Sequence, residues 1–160
     1  MRISRYSWPI FLGIIWSVIF AIISFYWASG GMIGAKTLGG EIYQMAIERK
    51  DDFILIVWLT GFLKIIGGLL LGSMFTNINN LLIRKTIFYI ASVGGILIFT
   101  YGLANFAIIF LSIVNLMDIK IDNSAKWWRL IFWEPYWMVG GLLYIISGRR
   151  YRTKWNRLYE

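Results

Sequence analysis

Four long apolar runs, separated by short polar segments, dominate the hydrophobic pattern of this chain. Each run approaches the ~20 residues that an α-helix needs to cross a hydrocarbon core ~30 Å thick. We predict membrane-spanning helices over about 8–28, 53–75, 87–113 and 132–148, followed by a basic tail over 149–160. The pattern therefore predicts an all-α fold, a polytopic membrane protein with four transmembrane helices in one compact bundle.

Three of these helices need comment. The first run has 21 residues, longer than the ~7–15 of a signal-peptide core, so we expect it to be retained. The apolar run 87–117 would measure ~45 Å as a helix, so the third helix either tilts or projects into water. The fourth begins at Pro135, or near Leu130 with Pro135 as a kink. Between the first two helices, residues 41–50 are typical of a short surface helix.

Small residues recur at helical spacing in the first three predicted spans. Residues three and four apart share one face of a helix, and small side chains on that face let another helix approach closely. We expect these faces to form the contacts between the helices of the bundle. They consist of Gly13, Ser17, Ala21, Ser24 and Ala28; Gly61, Gly68 and Gly72, beside Lys64; and Ala91, Gly95, Gly102, Asn105 and Ser112.

Composition agrees with a membrane class and narrows the possible chemistry. The chain is 59% hydrophobic with a mean hydropathy of +0.67, more apolar surface than a soluble domain of 160 residues can bury. It contains no Cys and no His. Thiol nucleophiles, imidazole bases and the usual transition-metal ligands are therefore excluded, and we expect no cofactor and no metal site.

The net charge of +8 is distributed unevenly over the predicted topology. With four spans, both termini lie on one side, which carries nine basic residues against one acid, whereas the other side carries six against seven. The positive-inside rule then places both termini in the cytoplasm and predicts a multi-pass protein of the cell membrane. The first side holds Arg2, Arg5, Arg84, Lys85, Arg149, Arg150, Arg152, Lys154, Arg157 and Glu160.

The basic tail alternates cationic and aromatic residues, RRYRTKWNR. Nucleic acid is one partner for such a pattern. Its position directly after a membrane helix favours anionic lipid of the inner leaflet instead, at ~1 kcal/mol per basic residue. We therefore predict membrane lipids as partners and no nucleic acid.

The pattern Tyr-Trp-x-x-Gly-Gly occurs twice, at residues 26–31 and 136–141. In the predicted topology both copies lie on the same, outer side but run in opposite directions. Gly30 and Gly31 are expected to end the first helix, whereas Gly140 and Gly141 are expected to pack inside the fourth. The aromatic residues Tyr26, Trp27, Tyr136 and Trp137 are typical of interface anchors, and their alternative role is the rim of a pocket.

The string FYWASGG at residues 25–31, closing a first membrane helix, resembles an uncharacterised family of small bacterial four-helix membrane proteins, domain of unknown function 3995. A second aromatic-x-x-Gly-Gly element at residues 136–141 fits the same family. The resemblance implies a four-helix membrane architecture and transfers no activity. Members often carry a His directly before the Phe-Tyr-Trp string, where this chain has Ser24, so any His-dependent chemistry would be missing here.

Lys64 is the residue that most clearly suggests a site, because it lies near the centre of the second predicted span. A charge there costs at least ~2.5 kcal/mol, so the side chain should face the bundle interior or reach towards the interface. It either binds an anionic ligand or forms a structural contact. Glu134 precedes the fourth helix, where interaction with the helix dipole is its favoured role, and its alternative role is the counter-charge of Lys64. Tyr101 and Asn105 are alternative neutral partners.

Three classes of function remain on this basis. A structural or partner-binding bundle, with a possible homo-oligomer, is favoured because it makes no catalytic demand. The alternative is a small transporter or a small-molecule- or lipid-binding bundle, with Lys64 beneath an outward-facing aromatic cavity. A lipid- or isoprenoid-modifying enzyme using Lys64, Glu134 and tyrosines as acid and base is the least favoured.

Overall fold

The computed structural model describes residues 7–156, which form helices joined by turns. The α-helices are α1 (Trp8–Ala28), α2 (Gly40–Ile47), α3 (Asp51–Ser73), α4 (Leu81–Ile113), α5 (Asn123–Trp128) and α6 (Glu134–Asn156). A 3₁₀ turn over Ala35–Leu38 precedes α2, and a π-helical turn over Arg129–Trp133 joins α5 to α6. Within the described range, α1, α3, α4 and the continuous segment Asn123–Asn156 are long and apolar enough to cross a membrane. The predicted all-α bundle with four spans is confirmed.

The third long helix starts earlier than predicted. Instead of beginning at 87, α4 begins at Leu81, where Asn80 accepts hydrogen bonds from the N–H groups of Leu82 and Ile83 at 2.9 and 3.2 Å. An Asn side chain in this position satisfies two amides that the first helical turn leaves unpaired. Arg84, predicted to lie in a linker, is a buried helical residue whose Nε donates to the carbonyl of Ile78.

The fourth helix is also longer than predicted. It continues from the π-helical turn through residue 148 to Asn156, so the first part of the predicted tail is helical. Arg2, Arg5, Arg157 and Glu160, which contributed to the predicted charge asymmetry, lie outside the described residues.

The long helices pack in the order α3, α1, α6, α4. Helix α1 lies along α3, helix α4 lies along α6, and α1 and α6 join the two pairs, whereas α3 and α4 meet at few points. We call the end formed by residues 29–50 and 114–128 the loop end, and the end formed by residues 74–80, Ser7 and Asn156 the terminal end. This arrangement leaves a cleft between α3 and α4.

Small residues bring the helix backbones together, as the sequence predicts. A Cβ atom on Gly141 of α6 would lie 2.6 Å from the carbonyl oxygen of Gly95 in α4, and one on Gly140 would lie 2.2 Å from the Trp16 ring of α1. Gly68 of α3 faces Ser17 of α1 in the same way. The two glycines of the second motif therefore serve two different helix contacts.

The first motif ends α1 and holds the chain that follows. Gly30 has φ +99°, and the N–H groups of Gly30 and Gly31 bond the carbonyls of Trp27 and Tyr26 at 3.0 and 2.8 Å, the pattern of a glycine-terminated helix. The Tyr26 hydroxyl accepts the N–H of Ile33 at 3.3 Å, and Trp27 Nε1 donates to the carbonyl of Ile33 at 2.9 Å. The two aromatic side chains thus fix the turn that leads to the 3₁₀ segment and α2.

Candidate functional site

The Lys64 ammonium lies inside the bundle, ~20 Å along α3 from its first residue at 1.5 Å per residue. Its Nζ donates to Ser24 Oγ of α1 at 2.7 Å, and Ser24 Oγ in turn donates to the Phe20 carbonyl at 3.1 Å. The same Nζ lies 3.9 Å from the centroid of the Phe20 ring and 5.4 Å from that of Trp137 in α6. Both separations are within the range of cation–π attraction. Two helices, α1 and α6, therefore stabilise a cation that a third helix carries.

Lys64 does not pair with Glu134, the candidate counter-charge that the sequence offers as an alternative. Within residues 7–156 the ion pairs are Lys50 with Glu48 and Arg129 with Glu134, and neither involves Lys64. The Arg129 Nη2 and Nε atoms lie 2.7 and 2.8 Å from Glu134 Oε1, in surroundings that leave the two side chains only 13% and 3% exposed. The candidate counter-charge of Lys64 is thus paired with another cation, Arg129.

The π-helical turn explains why Arg129 reaches Glu134. In an α-helix two residues five apart point ~140° away from each other, so their side chains do not meet. Here the N–H of Glu134 donates to the carbonyl of Arg129, which widens the turn and places the two side chains on the same face of the helix. The wide turn lies directly before Pro135, which has no N–H with which to continue the α-helical ladder.

This geometry also argues against the favoured explanation for Glu134, interaction with the dipole of a free helix N terminus. A carboxylate at a free helix N terminus gains from the helix dipole. Helical structure continues through residues 123–133 into α6, so the amides at Glu134 are not a free end. Glu134 is instead half of a buried ion pair, to which Asn105 Oδ1 adds a 3.3 Å hydrogen bond from Arg129 Nη2.

A cavity of about 150 Å³ extends from Lys64 towards the loop end. Its charged lining comprises Lys64, Arg129 and Glu134. The 3₁₀ turn and α2 cover the cavity at the loop end and contribute Leu38 and Ile42 to its lining. This segment is tied down because Trp133 Nε1 donates to Thr37 Oγ1 at 2.8 Å. The aromatic lining consists of Phe20, Trp27, Phe53, Tyr101, Trp133 and Trp137.

Towards the terminal end, core side chains close the bundle beyond Lys64. Trp16 and Leu71 are buried there, and Ser17 Oγ and the Tyr144 hydroxyl are hydrogen-bonded at 2.7 Å. Met74 is buried at the terminal end itself. The cavity therefore reaches Lys64 from one end of the bundle only.

Five of the eight predicted site residues line the cavity: Lys64, Glu134, Trp27, Trp137 and Tyr101. The other three have structural contacts. Tyr26 covers Gly31, Tyr136 stacks on the rings of Trp16 and Phe132 at centroid distances of 5.6 and 5.7 Å, and Asn105 orients Arg129. Ligand binding at these positions stays a prediction.

Sequence reasoning missed three residues that define the site. Ser24 was on the predicted small-residue face of α1, where its hydroxyl signals a possible acceptor. Phe20 lies four residues before Ser24 and therefore on the same face, which a search for aromatic partners of Lys64 would have found. Arg129 gave no usable signal, because α-helical spacing does not bring it to Glu134.

The fold and the cavity define the class: an all-helical, polytopic membrane protein with a lysine cation inside its bundle and no carboxylate paired with it in residues 7–156. The family model described as "Protein of unknown function (DUF3995)" matches residues 17–144, so the chain belongs to this family, as its motif indicated. No curated protein and no solved structure matches the chain.

We predict that Arg129→Met destabilises the protein by about 3–5 kcal/mol, because it leaves the Glu134 carboxylate buried without its cation. Adding Glu134→Gln to this variant should restore much of the loss, since the buried charge is then gone. Thermal unfolding of the purified single and double variants in a neutral detergent measures both effects. A double variant no more stable than Arg129→Met would show that the unpaired Glu134 carboxylate is not the cause of the loss.

Proposed function

We propose that the protein is a membrane-embedded binding protein for a small molecule with an anionic group, which contacts Lys64 in the loop-end cavity. The observation that carries this proposal is the incomplete hydrogen bonding of the Lys64 ammonium. Among the described residues its hydrogen bond to Ser24 is the one it makes, and an ammonium has three N–H donors. Aromatic faces attract the cation but leave the remaining donors for a ligand.

The charge of the cavity supports an anion rather than a cation. Lys64 and Arg129 each contribute +1 and Glu134 contributes −1, so the charged lining sums to +1. Within an apolar bundle an uncompensated charge is costly, and a bound anion lowers that cost. Binding, rather than transport, is the step that the geometry supports, because core residues close the bundle beyond Lys64.

The structural interpretation, which the sequence favours, has less support. It predicts that small-residue faces pack the helices of the bundle, and Gly13, Gly68, Gly95 and Gly141 do face neighbouring helices of the same chain. These contacts account for the bundle, but they give no role to the Lys64 ammonium in its cavity. An enzymatic role gains nothing either, because Arg129 already engages the carboxylate of Glu134, its candidate acid.

Binding of methyl phosphate, a small anion without a chain, tests the proposal. In a neutral detergent, methyl phosphate should raise the unfolding temperature of the wild type and of Lys64→Arg, which keeps the cation. Lys64→Met should bind about 10–100-fold more weakly, the factor expected from losing a hydrogen bond to a charged group. Lys85→Met, an exposed site in the first turns of α4, is the matched control.

Isothermal titration of the four proteins gives the dissociation constants directly. Equal affinity of the wild type and Lys64→Met for methyl phosphate would rule out Lys64 as the anion-binding residue. A loss of binding in Lys85→Met of the same size would indicate a general charge effect instead.

We further propose that the loop end faces the outside of the cell and that both termini are cytoplasmic. Every described carboxylate lies at or near the loop end, whereas a basic cluster occupies the terminal end. Such an asymmetry is typical of a positive cytoplasmic face, where the cluster also attracts anionic lipid. The cluster consists of Arg84, Lys85, Arg149, Arg150, Arg152 and Lys154.

Single-cysteine variants of this cysteine-free chain test the orientation. Ser124→Cys at the loop end should react with a membrane-impermeant maleimide in intact cells. Thr153→Cys near the terminal end should react only after the membrane is permeabilised. The reverse labelling pattern would place the loop end in the cytoplasm.

A further inference from the structure

We propose that the ligand is an amphiphile from the membrane whose anionic head group occupies the loop-end cavity and whose hydrocarbon chain lies between α3 and α4. This inference rests on the proposed function, because it names the class of molecule that contacts Lys64. The observations behind it concern the cleft between α3 and α4, to which the proposed function assigns no role.

The cleft contains an apolar groove of about 570 Å³. One wall is formed by Leu63, Ile66 and Leu70 of α3, and the other by Ile90 and Leu97 of α4. Gly94 also lines the groove, and a Cβ atom there would meet nothing within 4 Å. Leu63, Ile66, Ile90 and Leu97 are exposed, so the groove opens sideways towards lipid. A chain can therefore enter it without leaving apolar surroundings.

The groove and the cavity meet at Lys64. Thr60, Lys64 and Trp137 line both spaces. From Lys64 the cavity extends towards the loop end, whereas the groove follows α3 in the opposite direction as far as Leu70. Its α4 wall, from Ile90 to Ile98, is ~12 Å long at 1.5 Å per residue. Lys64 thus lies where a largely aromatic cavity with charged groups meets an apolar groove, an arrangement that suits an anionic head group with one chain.

The direction of this layout matches the lipid leaflet at the loop end. A lipid in that leaflet has its head group towards the loop end and its chain pointing away from that end, which is the direction in which the groove runs from Lys64. The groove gives the chain little binding energy, because lipid tails are as apolar as its walls. Its effect is to let the head group reach Lys64 while the chain stays in hydrocarbon.

Charge argues against a second copy of the chain as the occupant. A helix seated between α3 and α4 would lie beside the Lys64 ammonium and would need a carboxylate at that depth to compensate it. In residues 7–156 the carboxylates are at or near the loop end, and Glu134 is already paired. A membrane lipid with an anionic head group meets the requirement directly.

Filling the groove separates the chain from the head group experimentally. Gly94→Leu places a side chain in the open space of the groove, and Ile96→Phe, at an exposed position of α4 that does not line it, is the matched control. The probes are octyl phosphate, with a chain, and methyl phosphate, without one. Gly94→Leu should bind octyl phosphate about tenfold more weakly, equivalent to about 1.4 kcal/mol, and methyl phosphate as tightly as the wild type.

Each other outcome has a distinct meaning. Unchanged affinity of Gly94→Leu for octyl phosphate, with methyl phosphate binding still dependent on Lys64, overturns the placement of the chain and leaves the proposed function intact. If neither octyl phosphate nor methyl phosphate depends on Lys64 for binding, both the placement of the chain and the proposed function are overturned. A dimer in native mass spectrometry that Gly94→Leu dissociates would show that a second copy, not a lipid, fills the groove.

Discussion

A lysine ammonium inside the bundle, without a carboxylate partner among the described residues, is the constraint on which the rest of the structure depends. Such a charge costs at least ~2.5 kcal/mol in a membrane span. Ser24 and Phe20 of α1 and Trp137 of α6 offset this cost with a hydroxyl and two ring faces. Because these groups come from two other helices, the stabilisation of Lys64 requires α1, α3 and α6 to meet in one register.

The repeated motif contributes to this register in two different ways. In α6, Gly140 admits the Trp16 ring and Gly141 contacts the backbone of α4, which sets the position of Trp137 one turn earlier. In α1, Tyr26 and Trp27 bind the backbone of Ile33 and direct the following segment, with Leu38, over the cavity. Thus one copy positions an aromatic partner of the cation, and the other positions the cover of its cavity.

The spans, the helix-packing faces and the exceptional character of Lys64 were predictable because each follows from hydrophobicity and α-helical periodicity. The partner of Glu134 was not, since Arg129 reaches it only through a π-helical turn that no α-helical spacing indicates. The cleft was not predictable either. Small residues mark one packing face on each of α3 and α4, but the remaining faces of both helices are apolar, so their sequences do not show whether those faces meet each other or stay open to lipid.

The most direct test is an experimental density map of the protein extracted in native lipid, at a resolution that defines the Lys64 side chain. The account predicts non-protein density within hydrogen-bonding distance of Lys64 Nζ, continuing as an elongated feature between α3 and α4. A map in which Lys64 contacts Ser24 alone, with α3 and α4 closed against each other, would contradict it.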